Sequence, residues 1–318
     1  MIEAANADLV LQVARTEDEI IAACGRATMI LFENADTPLT SRVIDALPAC
    51  QAIIRYGVGV DSIDIPAATR RGVIVANSAD FCTEEVSDHA AALLLASVKR
   101  IAFHDRRIRA GKWQGFTPKP PLRRVGSLTL GLVGWGRIAQ ATARKMQGFE
   151  MRILVADPYV PSIPAGSKVE LVSLEQLLRE SDLISLHSPL NAETKHLIGD
   201  QQLALMKPTA FLINTSRGGV VDEVALVRAL QDDRLGGAAL DVFEIEPLPA
   251  DSALRTMEQV TLTPHYAASS QDSMEHLHGT VTDSIEAILE GYWPPFPVNR
   301  DVKPRVPLRP WSEFRSRR

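Results

Sequence analysis

The sequence has 318 residues, of which 46% are apolar and 23% charged, so it can bury a sizeable core and is long enough for two domains. A net charge of -5 argues against nucleic acid or an anionic membrane as the main partner. Cys24, Cys50 and Cys82 show no paired or metal-like spacing, "MIEAANADLVLQ" lacks a signal-peptide layout, and "AAALLLASV" is too short to span a bilayer. A cytoplasmic protein without a bound metal is expected.

In chain order, the first hundred residues alternate short apolar runs with amphipathic ones. "ADLVLQV", "ATMILFE", "CQAIIRYG" and "GVIVANS" predict strands; "TEDEIIAAC", "SRVIDALPA" and "DIPAATRRG" predict helices. A long helical stretch follows from Thr83, a candidate N-cap, with Glu84 and Glu85 in the first turn, where the helix dipole favours negative charge. Its Ala-rich face suits either a connecting helix or a subunit interface.

The segment "TPKPPLRRVGS" punctuates the chain and a second α/β series begins. Its predicted strands are "SLTLGLV", "MRILVAD", "KVELV", "DLISLHS", "AFLINTS", "GAALDVF" and "VTLTP". Helices are predicted over "RIAQATARKMQGF", "LEQLLRES", "DQQLALM" and "EVALVRALQDD", and "SMEHLHGTVTDSIEAILEGY" forms a long amphipathic helix returning to the first series. The pattern predicts an α/β protein: a doubly wound parallel sheet over residues 98–271, and a smaller α/β domain from 1–97 with 272–318.

After "SLTLGLV" comes Gly134-Trp135-Gly136-Arg137-Ile138-Ala139, opening a helix. Gly134 permits a tight turn, Gly136 lets a pyrophosphate approach the backbone, and Ala139 is small enough for close helix–sheet packing. Alone, this is as readily a packed strand–helix turn. The next strand, however, ends in Asp157, 21 residues after Gly136, where a carboxylate can bind both ribose hydroxyls. No Arg or Lys follows closely, so NAD(H) is expected over NADP(H).

Ligands of an open parallel sheet bind beyond the carboxyl ends of its strands. The residues there are Ser188, then Thr215-Ser216-Arg217-Gly218, then Asp241 with Glu246 beyond it, then His265. Taken singly, each has a bland reading: a surface ion pair, a turn cap, a solvated loop residue, a strand end. Together they suit hydride transfer at a carbon bearing oxygen. Histidine moves the proton near neutrality, a carboxylate supports its charged form, and arginine grips a substrate carboxylate in two-pronged fashion.

The motifs "RYGVGVDSID", "LGLVGWGRIAQ", "LHSPLNAETKHLI", "NTSRGGVVDE", "ALDVFEIEP" and "TPHYAASS" occur in one order over nearly the whole chain, which resembles the D-isomer-specific 2-hydroxyacid dehydrogenases. The resemblance implies a Rossmann domain that binds NAD(H) and a smaller flavodoxin-like substrate domain, closing on a cleft. It implies that Arg217 binds the substrate carboxylate, that His265 is the acid–base group and that Glu246 pairs with it. It assigns Gly134, Gly136, Arg137, Ile138, Asp157, Ser188, Thr215, Ser216 and Asp241 to the cofactor, and the N–H groups of Val58 and Gly59 to the substrate carboxylate. It implies a homodimer formed through the Ala-rich helix, and a small 2-oxo or 2-hydroxy acid as substrate.

Two departures stand out. The chain starts near what would be the family's second strand, which would leave a sheet edge open, and Ala267 and Ala268 occupy positions where many relatives have glycine. "ADFCTEEVSDHAAALLLA" also resembles the NAD-dependent corepressor subgroup, giving an alternative reading as an NAD(H)-sensing interaction protein. A second alternative is a 3-phosphoglycerate dehydrogenase, with Arg55 as the candidate for the substrate phosphate.

Overall fold

The computed structural model describes residues 8–33, 38–113, 120–164 and 166–316. Expectations for residues 1–7, and for residues 117–119 of the predicted linker, lie outside these. The predicted β–α alternation forms two units, one built from the described residues up to Cys82 with those from Ser270 onward, the other from Thr83–Ser269.

In the first unit, helices α1 (Glu17–Cys24), α2 (Ser41–Asp45) and α3 (Ile65–Arg70) alternate with strands β1 (Met29–Phe32), β2 (Ala52–Arg55) and β3 (Ile74–Ala76). The strands are parallel and adjacent in the order β1-β2-β3, the same run as the last three places of a flavodoxin-like sheet. The sequence's helix starts are the observed ones: Thr16 closes a capping box on α1, and Thr40 and Asp64 cap α2 and α3. Ile30, Phe32, Leu39, Val43, Ile44, Leu47, Ile53, Val73 and Val75 form its core.

One expected strand is absent. Residues 8–13 of "ADLVLQV" are not in a strand, and Leu9, Val10, Leu11 and Val13 are exposed. Among the described residues no strand pairs with the outer edge of β1. Strand composition makes a strand only with a cross-strand partner, and among the described residues this run pairs with none.

The second unit begins with α4 (Thr83–Lys99) and α5 (Ile101–Arg109). Then come β4 (Thr129–Val133), α6 (Arg137–Met146), β5 (Arg152–Ala156), β6 (Glu170–Leu171), α7 (Leu174–Glu180) and β7 (Leu183–Leu186). It continues through α8 (Asp200–Leu205), β8 (Phe211–Asn214), α9 (Glu223–Gln231), β9 (Gly237–Leu240) and β10 (Val260–Leu262), before α10 (Gln271–Leu289) and α11 (Trp311–Arg315) return to the first unit. The seven strands are all parallel, ordered β10-β9-β8-β7-β4-β5-β6. Chain order thus reverses between β4 and β7, the switch point of a doubly wound sheet. One core packs Leu177, Leu203, Leu226 and Leu230 on the sheet, and another packs Leu93, Leu94, Val98, Ala143 and Met146 on it.

That second core explains where the division falls. The sequence suggested 97/98, but the apolar face of α4 is buried against α6 and the sheet, so the helix belongs with the second unit from Thr83. The single long helix expected there is two. It breaks at Arg100, which takes a left-handed conformation with φ 54°.

Candidate active site

The register of the large sheet sets the site. Val133 lies opposite both Ala156 and Leu186, Leu186 opposite Asn214, Asn214 opposite Leu240, and Leu240 opposite Leu262. One residue further on, Gly134, Asp157, His187, Thr215, Asp241 and Thr263 therefore form a row along the carboxyl ends of six strands. The sequence had singled out four of the six.

At the switch point, Gly134 has φ 95°, and a Cβ there would come within 3.0 Å of the His187 carbonyl and 3.2 Å of the Ser188 nitrogen. That contact places Ser188 beside the loop, with its buried hydroxyl 3.4 Å from the Val133 carbonyl. Gly136 is the N-cap of α6 and supplies no side-chain cap to its first turn, the end of a helix where an anion is favoured. Nothing lies within 4 Å of where a Gly136 Cβ would be. Arg137 and Ile138 follow on the opening turn. Asp157 accepts from Trp135 N at 2.8 Å and from Tyr159 N at 2.9 Å. The acid therefore also fixes the glycine loop, a role its spacing did not reveal.

At the end of β8, Asn214 shapes the next turn. Its Oδ1 accepts from Ser216 N at 3.0 Å and Ser216 Oγ at 2.8 Å, and its Nδ2 donates to the Arg217 carbonyl at 2.9 Å. Gly218 completes the turn where no other residue fits, because a Cβ would lie 1.9 Å from the Phe243 carbonyl. Thr215 Oγ1 is buried with no hydrogen-bond partner among the described residues. A buried hydroxyl left unsatisfied costs about 1–3 kcal/mol, which a bound ligand would offset. With an α6 terminus that has no side-chain cap and the space at Gly136, it is what a dinucleotide site requires, and the residues present fit NAD(H).

Beyond β9 and β10 the acid–base pair forms. His265 Nδ1 lies 2.6 Å from Glu246 Oε2, while Glu246 Oε1 accepts from Phe243 N at 2.9 Å. A carboxylate only accepts, so Nδ1 carries the proton and Nε2 remains for a substrate. Burial opposes ionisation of Glu246, but the hydrogen bonds from His265 and Phe243 N–H and the charge of Arg217 outweigh it, holding the carboxyl below its ordinary value. Arg217 donates from Nη1 to the Ser216 carbonyl at 2.8 Å. Asp241 is fully buried and accepts from Thr263 Oγ, Tyr266 N and Ala267 N. A carboxylate has about four acceptor positions, so these three bonds leave room for one further donor. Ala267 is buried, its nitrogen tied to Asp241.

In the first unit, Val58 and Gly59 lie on the loop leaving β2. Asn77 Nδ2 donates to the Val58 carbonyl at 2.7 Å and Arg55 Nε to the Gly59 carbonyl at 3.0 Å. No described residue accepts from the N–H group of either Val58 or Gly59. Among the described residues no group of three His, Cys, Asp or Glu could hold a metal, and no helix is long and apolar enough to cross a membrane.

Residues 91–267 match the family model of the D-isomer specific 2-hydroxyacid dehydrogenase NAD binding domain. The chain is 43% identical to a glyoxylate reductase of Korarchaeum cryptofilum over 278 residues, covering 86% of this chain and 82% of that one. It is 37% identical to a D-3-phosphoglycerate dehydrogenase of Methanocaldococcus jannaschii, covering 87% of this chain but 52% of the relative. Its structure is similar to that of a D-lactate dehydrogenase from Aquifex aeolicus solved with NAD and lactic acid, at a TM-score of 0.80 and 31% identity over 91% of this chain and 92% of that one.

Proposed function

The chain belongs to the D-isomer specific 2-hydroxyacid dehydrogenases and is an NAD-dependent oxidoreductase, and from that premise we propose that it reduces a short, unphosphorylated 2-oxo acid of the glyoxylate type. The observation that carries the reading is the 2.6 Å pair of His265 and Glu246, with Arg217 on the loop after β8 adding its charge to Glu246. Arg217 binds the substrate carboxylate and draws charge from the 2-oxo group. His265 passes the proton on Nε2 to the oxygen as C2 is reduced, and Glu246 holds the ring by Nδ1 and stabilises the charged form before transfer. NAD(H), when bound, supplies the hydride. Gly134, Gly136, Arg137 and Ile138 would cradle its pyrophosphate and Asp157 its adenosine ribose, Asp241 would orient its carboxamide, and Ser188, Thr215 and Ser216 would complete the cofactor site. The N–H groups of Val58 and Gly59 serve the substrate carboxylate. Residues 83–269 would then be the cofactor domain and the remainder the substrate domain.

Arg55 separates the two substrate classes suggested by the relatives. A phosphorylated substrate wants a cation free to meet it. Arg55 is buried, and beyond its bond to Gly59 its Nη1 donates to the carbonyls of Phe32, Glu33 and Tyr56 at 3.2, 2.5 and 2.8 Å. Its Nε and Nη1 are engaged by these main-chain carbonyls, which supports an unphosphorylated acid. The reading also includes a cytoplasmic homodimer, with the three free cysteines in keeping with a reducing compartment.

An NADH-oxidation screen over glyoxylate, hydroxypyruvate, pyruvate and phosphohydroxypyruvate tests this. Glyoxylate should give the highest kcat/KM, with the phosphorylated acid at least about tenfold lower. His265→Ala should lose on the order of a hundredfold in kcat while still binding NADH. No turnover on any acid, with tight NADH binding retained, would favour the sensing role instead.

A further inference from the structure

Three consecutive peptide N–H groups converge on Asp241. His265 N donates to its main-chain oxygen at 2.7 Å, Tyr266 N to Oδ1 at 3.0 Å and Ala267 N to Oδ2 at 3.0 Å. His265 has φ 53°, and this left-handed turn is what aims successive N–H groups inward, as in an anion-binding nest. For a residue with a side chain the turn costs on the order of 1 kcal/mol, so the loop keeps that shape only while the carboxylate stays in place.

What keeps the carboxylate in place is a second chain of bonds. Thr263 Oγ is 2.5 Å from Asp241 Oδ1 and 3.0 Å from His89 Nε2. The Asp241 carboxylate only accepts, so the Thr263 hydroxyl donates to it, and a hydroxyl has only one hydrogen to give. At the other contact Thr263 must therefore accept, and Nε2 of His89 must carry the hydrogen. The order is fixed: His89 Nε2–H to Thr263, Thr263 O–H to Asp241, and loop N–H groups to Asp241. His89 Nε2 also lies 3.5 Å from Asp241 Oδ1, so either carboxylate contact favours the same tautomer. His89 stands on α4, whereas Thr263 and Asp241 follow β10 and β9, so a helix bears on the loop of His265 chiefly through one hydroxyl.

We propose that His89 is a positioning residue for proton transfer: by donating to Thr263 it fixes the Asp241 carboxylate, and through it the left-handed turn that presents His265. The inference rests on His265 being the proton-transferring group.

The test uses the full chain with NADH and whichever acid the screen selects. His89→Phe keeps a ring without the donor, His89→Gln places an amide N–H near the position of Nε2, and Thr263→Val and Thr263→Ser remove and keep the hydroxyl. Melting curves establish that each variant is folded. His89→Phe and Thr263→Val should each lose about tenfold in kcat with the KM for NADH changed less than about threefold. His89→Gln and Thr263→Ser should recover to within about threefold of the parent. The double variant His89→Phe/Thr263→Val should be no slower than the slower single variant, because both cut one chain. Parental kcat in His89→Phe, failure of His89→Gln to recover, or losses that multiply would each overturn the proposal. If His265→Ala itself turns over normally, the reading of His265 fails; if His265→Ala is dead while His89→Phe is normal, only the positioning role fails.

Discussion

Glu246 is pulled two ways, and the balance makes a prediction. Burial raises a carboxyl, while the bonds from His265 and Phe243 N–H, with Arg217, lower it further than burial raises it. A carboxyl whose folded value lies below its unfolded value stabilises the fold at pH above the unfolded value of about 4.3, and loses that contribution as pH falls through the folded value. Glu246→Gln should therefore melt below the parent at neutral pH, with the gap closing as pH falls below about 4. Thermal melts at both ends of that range check it, and a constant gap would mean that the charge is not what the bonds hold. At this scale the sequence disclosed the residues that meet the ligand: polar groups just past apolar strands are conspicuous because nothing in packing asks for them. It did not disclose their supports. Asn214 is an ordinary turn residue until its bonds to Ser216 and Arg217 are seen. His89 sits 174 positions from Thr263, a distance no local pattern bridges.

At the scale of elements, the edge of β3 is closed without a strand. Ala76 bridges to Pro297 in antiparallel sense, Val298 N donates to Val75 O at 2.7 Å, and the buried Asn299 side chain serves as the next peptide group. Its Oδ1 accepts from Val75 N at 2.8 Å, and its Nδ2 donates to Val73 O at 2.9 Å and Thr69 Oγ1 at 3.0 Å. Asn299→Ala leaves a buried N–H and a buried carbonyl unpaired, which costs about 1–3 kcal/mol each. The variant should thus be destabilised by about 2–4 kcal/mol in urea titration, and a loss under about 0.5 kcal/mol would show that water replaces the side chain. Most elements were legible because a strand buried on both faces is a continuous apolar run, and β2, β3, β7, β8 and β9 are buried throughout. The misreadings share a cause. Residues 8–13 have strand composition but pair with no strand among the described residues. The break between α4 and α5 has no Gly or Pro to announce it; the buried Arg100 guanidinium, 4.3 Å from the Phe211 ring centroid and bonded to the Gly236 carbonyl at 3.1 Å, holds the turn from outside the helix. Tertiary contacts decided both.

For the whole molecule, binding and stability are one measurement. All the groups proposed to hold the dinucleotide lie within residues 83–269, on a sheet whose two faces each carry a core. A ligand that binds only the folded form stabilises it by RT ln(1 + [L]/Kd), about 2.7 kcal/mol at a hundred times Kd. For a unit of this size each kcal/mol moves the melting temperature by about 2–4 °C, so saturating NADH should raise it by roughly 5–10 °C. NADPH at the same concentration should raise it less, because its extra phosphate would meet Asp157, a carboxylate already turned toward the glycine loop by Trp135 N. Asp157→Ala removes the ribose contact and that repulsion together. If it weakens NADH by about tenfold, the stabilisation at the same concentration falls to about 1.4 kcal/mol. The NADH shift should then roughly halve, and the gap between the two cofactors should narrow. Thermal scans of the parent and Asp157→Ala with each nucleotide decide the matter: an undiminished NADH shift in the variant would remove Asp157 from the ribose site and, with it, the reason for expecting NAD(H) to be preferred.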